Sequence, residues 1–212
     1  MTDRYDTSGN IEAQYEPGSD NRVLANKLGI TDPAEMADIE LDLLTQIYDA
    51  TINSIREDQR ITVADLREWH RRWLGNVYVW AGRDRTVNMG KDVFQFAASG
   101  QIPRLLDQLD EQFLSAHTPC AGMSEDQLAE AIAIVHIELI LIHPFREGNG
   151  RLSRLLMNVM ALQAGWPELD FSVWDKHKAD YFAAIQAGLS DHEPMKQLVR
   201  QVLRASLPKA DE

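Results

Sequence analysis

Two apolar helical segments separated by a short polar stretch constrain this chain more than any other feature. The first covers residues 128–142 and has helical length with few polar breaks. Pro144 lacks an N–H and disfavours helical backbone at His143, so this helix is predicted to end there. Residues 151–163 again have a helical pattern and end before a Gly-Trp-Pro turn. The stretch HPFREGNGRLSR, residues 143–154, is therefore predicted to be a tight loop that opens the second helix.

The residues of this loop are the types that hold a polyphosphate. The first N–H groups of a helix have no partner within the helix, and the helix dipole is positive there, so a phosphate fits this end. Gly148 and Gly150 let the backbone approach such an anion closely. Arg151 and Arg154 lie three residues apart on one helix face and can clamp neighbouring phosphates.

Two further side chains of the loop can supply chemistry. Glu147 is a hard oxygen ligand, placed where a Mg²⁺ ion on the same phosphates would lie. His143 can act as a general base near neutral pH. A Gly-Asn-Gly run alone is more often an ordinary turn beside two solvated arginines. The base, the acid, the glycines and the arginines together favour a nucleotide site.

The loop resembles a known family signature. It matches the Fic-domain pattern HxFx(D/E)GNGRxxR at each specified position: His143, Phe145, Glu147, Gly148, Asn149, Gly150, Arg151 and Arg154. The resemblance to compact bacterial Fic proteins implies a mainly α Fic-fold helical bundle with a small β-hairpin flap beside the active site. It also implies a single Fic domain over residues 1–212. The implied activity is transfer of AMP from MgATP to a Tyr, Ser or Thr hydroxyl of a target protein, with release of pyrophosphate.

The resemblance also implies a role for each motif residue. His143 would deprotonate the target hydroxyl, and Glu147 would hold Mg²⁺. The run Gly148-Asn149-Gly150 would form the anion hole for the nucleotide. Arg151 and Arg154 would hold the outer phosphates.

A β-hairpin is predicted beside this loop. Residues 80–82 (WAG) and 85–88 (RTVN) resemble the Fic tract that leads into the flap, which here covers residues 87–97. An exposed strand edge can pair with an extended peptide, so the resemblance implies that the target protein is held at the flap. Lys91 and Phe96 are the flap residues expected to contact the nucleotide or the target.

Charge and hydropathy exclude several classes of partner. With 21 basic and 33 acidic residues the net charge is −12, which argues against general binding of nucleic acid or of an anionic membrane. The single cysteine, Cys120, excludes an internal disulfide and a cysteine-rich metal site. No signal core and no apolar run of about 18 residues is present. A cytoplasmic protein is expected, with translocation into a host cell left open.

Two histidines outside the loop are interpreted as structural. His70 begins a basic HRRW run that a DNA-reading helix could carry, but a solvated face is more common on an acidic chain. His136 lies seven residues before His143. That spacing is about 10 Å along a helix, too far for both to bind one metal ion.

The remaining pattern is mostly helical. Residues 1–22 are predicted to be an irregular N-terminal arm. Thr31, Thr62 and Ser124 are predicted helix N-caps, the last in a capping box. Further helices are predicted over residues 23–30, 34–55, 62–73, 102–114, 170–190 and 195–207.

Unrestrained AMP transfer should be toxic, so a restraint is expected. Many Fic proteins are inhibited by a helix carrying (S/T)xxxE(G/N), whose glutamate pairs with the second motif arginine, here Arg154. The tracts Ser8–Glu12 and Thr31–Glu35 have the spacing, but Ala13 and Met36 follow them. A small antitoxin-like partner that acts on Arg154 in trans is therefore predicted, as in a toxin–antitoxin pair. The Ser8–Glu12 arm is the second candidate.

Other functions stay open at this point. Within the fold, the transferred group could be UMP, phosphocholine or phosphate, although the intact GNGR run disfavours the kinase-like variant. A non-catalytic Fic-fold binding partner is disfavoured by the presence of His143 and Glu147. A nucleic-acid-binding module is the weakest alternative because of the net charge.

Overall fold

The computed structural model describes residues 10–91 and 94–208, and within them the chain is mainly helical. This confirms the predicted fold class, a helical bundle with one small hairpin. In chain order the helices are α1 (Pro33–Ile52), α2 (Val63–Leu74), α3 (Ile102–Gln108), α4 (Ser115–His117), α5 (Glu125–Ile142), α6 (Asn149–Gln163), α7 (Ser172–Lys176), α8 (Lys178–Ala187) and α9 (Glu193–Ala205). Helix α3 continues into α4 through a π-helical segment, Leu109–Leu114.

Helix α5 is the centre of the core. It is apolar on most of its circumference, as expected for a helix covered on several sides, and it packs against α6 and α9. The predicted capping box is present at its start, where Ser124 accepts from the Gln127 N–H and Gln127 accepts from the Ser124 N–H. The helix ends at His143, as predicted from Pro144. The C-terminal end of α5 therefore meets the loop that opens α6.

The N-terminal region differs from the predicted pattern. Residues 23–30 do not form a helix, because the Asn26 side chain accepts from the Leu28 and Ile30 N–H groups and holds a turn. Helix α1 is capped by Asp32 rather than Thr31, with Asp32 Oδ1 accepting from two N–H groups of the first turn. It ends at Ile52, three residues before the predicted end.

Helix α2 begins with the predicted Thr62 cap, completed as a capping box by Asp65. The predicted single helix over residues 170–190 is instead broken at His177, where φ is −121° and ψ is 49°. The preceding turn is anchored from both sides, since Trp174 Nε1 donates to Leu198 O and Asp175 binds Arg154. The break separates α7 from α8.

The predicted flap is a two-stranded antiparallel hairpin. Strand β1 (Gly90–Lys91) pairs with β2 (Phe94–Gln95), with Gly90 opposite Gln95. Residues 92–93, which connect the two strands in sequence, lie outside the described residues. Such a hairpin is marginal alone, and here it leans on the helical body. The Lys91 Nζ lies 3.9 Å from the Phe182 ring centroid, and the Ala97 N–H donates to Leu141 O over 3.1 Å.

The N-terminal arm is described from residue 10. It contains a short 3₁₀ turn, Ile11–Ala13, and an isolated bridge between Tyr15 and Leu24. The single-domain organisation predicted for residues 1–212 stays a prediction. Among the described helices, none combines the length and the apolar character that a membrane crossing requires.

Candidate active site

The motif loop is held in shape by its own asparagine. The Asn149 side chain is 2% exposed and bridges Phe145 twice, accepting from its N–H at 2.9 Å and donating to its C=O at 2.7 Å. Phe145 is buried, and its ring stacks on His70 with a centroid separation of 4.0 Å. The Asn149 side chain therefore serves the loop, and its backbone N–H remains for a ligand.

Gly148 is required at the start of α6. Its φ of 83° lies in the left-handed region, and a Cβ there would lie 2.6 Å from a ring carbon of Trp73. Gly150 is different, because a Cβ on it would meet open space. The N–H groups of Asn149, Gly150 and Arg151 donate to none of the described residues. These N–H groups lie at the positive end of a fifteen-residue helix, where the anion site is predicted.

His143 is presented to the site by strained backbone at the end of α5. Its φ is 50°, an uncommon value for a residue with a side chain. Nδ1 lies 3.3 Å from Ile140 O, and because a carbonyl only accepts, Nδ1 carries the hydrogen. Nε2 is then unprotonated. Burial lowers the pKa of His143 to about 4, and the Arg85 charge adds to the lowering. The imidazole is therefore neutral at pH 7 and able to accept a proton.

Arg85 fixes the backbone around His143, and sequence reasoning did not single it out. Its side chain is 1% exposed and donates to His143 O at 2.6 Å, Val87 O at 2.5 Å and Ala97 O at 2.6 Å. Its own N–H donates to Pro144 O at 2.7 Å. Among the described residues it has no carboxylate ion-pair partner. Arg85 thus ties both ends of the flap segment to the motif loop.

His70 supports the loop from α2. Since the Gly82 N–H donates to its Nδ1 at 2.8 Å, its Nε2 carries the hydrogen and donates to Glu147 O at 3.0 Å. Burial lowers the pKa of His70 to about 4. A neutral ring is required for this pair of bonds, which confirms its structural interpretation. His136 is also structural, being buried and bonded to the Tyr181 hydroxyl at 2.8 Å.

The Glu147 carboxylate lies at the edge of the site, with 45% of its side chain exposed. Its Oε1 accepts from the Gly148 N–H at 2.8 Å and from Arg151 at 3.3 Å. Its Oε2 accepts no hydrogen bond from the described residues. Within residues 10–91 and 94–208 no group of three His, Cys, Asp or Glu could enclose a metal ion. Glu147 fits Mg²⁺ as one protein ligand, because Mg²⁺ on a nucleotide takes its other ligands from phosphates and water.

Arg151 is oriented by a buried carboxylate that the sequence did not reveal. Its guanidinium donates to Glu40 Oε2 at 2.8 Å and lies 4.7 Å from the Trp73 ring centroid. The other Glu40 oxygen accepts from the Tyr78 hydroxyl at 2.7 Å, and the Glu40 carbonyl accepts from Trp73 Nε1. Burial and this carboxylate raise the pKa of Tyr78, so the hydroxyl remains a donor. Arg151 is therefore preorganised before any ligand binds.

Arg154 is held less firmly. It binds Asp175 of α7 at 2.8 Å and 3.4 Å and lies 5.0 Å from the Phe171 ring centroid. The hydrogen bond to Arg154 lowers the pKa of Asp175. Because the Asp175 side chain is 53% exposed, this pair contributes about 0–1 kcal/mol. A phosphate could replace Asp175 at little cost.

These groups line one cavity of about 660 Å³, which lies within the usual range for small-molecule sites. The structure brings every predicted site residue to this cavity: His143, Glu147, Gly148, Asn149, Gly150, Arg151, Arg154, Lys91 and Phe96. Phe96 stacks on the His143 ring with a centroid separation of 3.7 Å. Tyr181, Phe182 and Ile185 of α8 also line it, whereas Trp174 lies in the core.

The chain is similar in sequence to proteins of known family. Residues 60–161 match the model of the Fic/DOC family. The chain is 32% identical over 160 residues to protein adenylyltransferase fic-1 of Caenorhabditis briggsae, covering 73% of this chain and 29% of that protein. It is 28% identical over 202 residues to protein adenylyltransferase VbhT of Bartonella schoenbuchensis, covering 94% and 40%. The chain thus spans well under half the length of both relatives.

A solved structure agrees with these matches. BepC of Bartonella tribocorum, a VirB-translocated effector crystallised with AMPPNP, superposes with a TM-score of 0.68 at 26% identity. The superposition covers 84% of this chain and 91% of that one. With the signature intact at the start of α6 and the flap beside it, the chain is a Fic-domain protein.

Proposed function

We propose that this chain is a protein adenylyltransferase, which transfers AMP from ATP to a Tyr, Ser or Thr hydroxyl of a target protein. One observation carries the proposal: a neutral imidazole, free helix N–H groups and two arginines line the same cavity. The names of the two relatives, and the nucleotide analogue bound to BepC, support it.

In the proposed reaction the target hydroxyl oxygen attacks the α-phosphorus in line. A new O–P bond forms, the bond to pyrophosphate breaks, and the hydroxyl proton passes to His143 Nε2. Negative charge on the bound nucleotide favours the imidazolium, so ATP binding would raise the pKa of His143 from about 4 toward neutrality. The N–H groups of α6 and the two motif arginines stabilise the charge that develops on the phosphates.

Mg²⁺ is proposed to bind with the nucleotide at Glu147, where it would neutralise phosphate charge. Glu147 suits this role because one of its oxygens is unoccupied and its side chain is half exposed in the cavity. The apolar side chains that line the cavity, among them Tyr181, Ile185 and Ile140, suit the base of the nucleotide. The two motif arginines and the free N–H groups belong to the start of α6, so the ligand would lie with its phosphates toward α6.

The target protein is proposed to lie along the flap. Strand β2 pairs with β1 on one edge only among the described residues, so its other edge can accept an extended segment. Phe96 stacks on the His143 ring in the structure. The target hydroxyl would therefore either contact the Phe96 ring or displace it. The Lys91 ammonium lies over the Phe182 ring, and both residues line the cavity.

The decisive experiment uses ATP labelled separately at the α and γ positions, incubated with the purified chain and a cell lysate. Label from the α position on protein, lost in His143→Ala, is the expected result. Transfer of γ label alone would establish phosphate transfer and overturn the proposal. ATP binding without transfer of either label would identify a non-catalytic binding partner instead.

We further propose that a small antitoxin-like protein restrains the enzyme by presenting a glutamate to Arg154. Among the described residues the Arg154 side chain donates hydrogen bonds to Asp175 alone, and an incoming carboxylate could displace this half-exposed side chain. The alternative inhibitor, the Ser8–Glu12 arm, has its glutamate elsewhere: Glu12 accepts from the Thr86 N–H at 2.7 Å and is 6% exposed. Ser8 itself lies outside the described residues.

Co-expression with a neighbouring small open reading frame should suppress AMP transfer if this partner exists. An Arg154 substitution should then weaken both catalysis and the response to the partner. A chain that is inactive alone and is activated by Glu12→Gly would show that inhibition is internal.

A further inference from the structure

A second groove adjoins the nucleotide cavity, and Phe94 and Phe96 of the flap line both. It has a volume of about 380 Å³, and one wall is formed by the β2 segment, residues 94–97. The facing wall is formed by Leu141 and Glu138 of α5, and by Leu189 at the end of α8. Leu189 is 69% exposed, so its apolar surface is open to a ligand. The groove runs beside the strand edge at which the target is proposed to lie.

Among the described residues that line this groove, Glu138 is the one charged side chain, and none of them is its counter-ion. Its side chain is half buried, and it makes no ion pair or hydrogen bond with residues 10–91 and 94–208. Burial raises the pKa of Glu138, and His192 opposes that rise only by electrostatic influence. A half-buried carboxylate without a partner is costly, and a cation brought by a ligand would remove that cost.

We propose that this groove selects a basic side chain of the target, an Arg or Lys about two residues from the hydroxyl that is modified. The inference rests on the proposed function, because it names the class of target sequence for the same reaction. The aliphatic stem of the basic residue would lie on Leu141 and Leu189, and its charged head would reach Glu138.

The spacing follows from the geometry of α5. Glu138 precedes His143 by five residues, which is about 7.5 Å along a helix axis at 1.5 Å per residue. An extended chain covers the same distance in about two residues. The chain as a whole has a net charge of −12, which also favours the approach of a basic segment over an acidic one.

Peptide binding tests the groove without requiring catalysis. The probes are eleven-residue peptides with a central Tyr, Thr or Ser, in which one position at a time is Arg, Gln or Glu. Binding is measured by fluorescence anisotropy to the His143→Ala chain. Arg at one position about two residues from the centre should bind about 10- to 100-fold more tightly than Gln there, as for a hydrogen bond between charged groups.

Glu138→Gln should reduce that preference to less than about threefold, since it keeps the shape and removes the charge. The matched control is Glu130→Gln, on the same helix, where Glu130 pairs with Lys196 away from the groove. It should keep the preference. Equal binding of Arg and Gln peptides, a preference for Gln or Glu, a preference unchanged in Glu138→Gln, or no binding of any peptide would overturn the inference.

The same peptides, given to the unmutated chain with α-labelled ATP, separate this inference from the proposed function. Selective binding through Glu138 without α-label transfer would support the selection of a basic side chain by the groove and refute AMP transfer to these hydroxyls. Transfer of α label to all peptides alike, with no effect of Glu138→Gln, would refute the groove and leave the enzyme activity standing.

Discussion

Replacing Arg85 by lysine should impair both the fold and catalysis, although the charge is kept. The planar guanidinium reaches three carbonyls at once, those of His143, Val87 and Ala97, at 2.5–2.6 Å. A lysine ammonium is a compact group on a single stem and cannot reproduce this fork. At least two carbonyls would lose bonds to a charged donor, each worth about 1.5–3 kcal/mol, so we expect a destabilisation of about 3 kcal/mol or more.

The effect on catalysis should exceed the effect on nucleotide binding. Arg85 touches the backbone of His143 but no residue of the phosphate site, so its loss should displace the base and spare the anion site. A displacement of the order of 1 Å can lower kcat by about 100-fold. We therefore expect a fall of that order in kcat, with the Kd for ATP changed less than about threefold.

The assay combines urea unfolding, ATP binding by calorimetry and α-label transfer at a temperature where the variant is folded. Arg83→Lys is the matched control, because Arg83 is exposed in the same tract and its side chain makes no hydrogen bond or ion pair with the described residues. Equal stability and equal kcat for the two variants would refute the positioning role of Arg85.

Four further outcomes are expected. His143→Ala should abolish transfer and leave ATP binding nearly intact; near-normal transfer would remove the general-base role. Glu147→Ala should weaken the Mg²⁺ dependence of ATP binding, so an unchanged Mg²⁺ titration by calorimetry would exclude it as the ligand. Gln95→Pro should spare ATP binding and impair modification of protein targets relative to Gln95→Ala, because proline disfavours strand pairing; equal modification would exclude the flap edge. Finally, the free energy of unfolding should fall as the pH drops below about 6.5. Burial lowers the pKa of His70 to about 4 and of His136 to about 3, so the unfolded chain binds more protons than the folded chain in this range. A pKa difference of one unit corresponds to about 1.36 kcal/mol, so each of these two histidines should lower the free energy of unfolding by about 1.3 kcal/mol between pH 7.5 and pH 5.5. A urea midpoint that does not change with pH would contradict this.

The parts of the fold that follow local rules could be predicted from the sequence. Pro144 sets the end of α5, and Ser124 and Thr62 set helix starts through capping boxes with neighbours three residues away. The motif residues could be placed together because they lie within twelve consecutive positions. The Asn26 turn was missed because its side-chain bonds compete with a helix whose apolar pattern looked adequate.

The supports of the site come from distant parts of the chain, and their pairing depends on the tertiary fold. Glu40 reaches Arg151 across 111 positions, so no local pattern could pair them. A signal was nevertheless present, since Glu40 lies on the stripe of α1 that also carries Met36 and Ile47, both buried. A carboxylate in an apolar stripe must find a partner or destabilise the fold. Arg85, a charged residue that becomes fully buried, supports the same inference: buried charges here mark the residues that orient the catalytic groups.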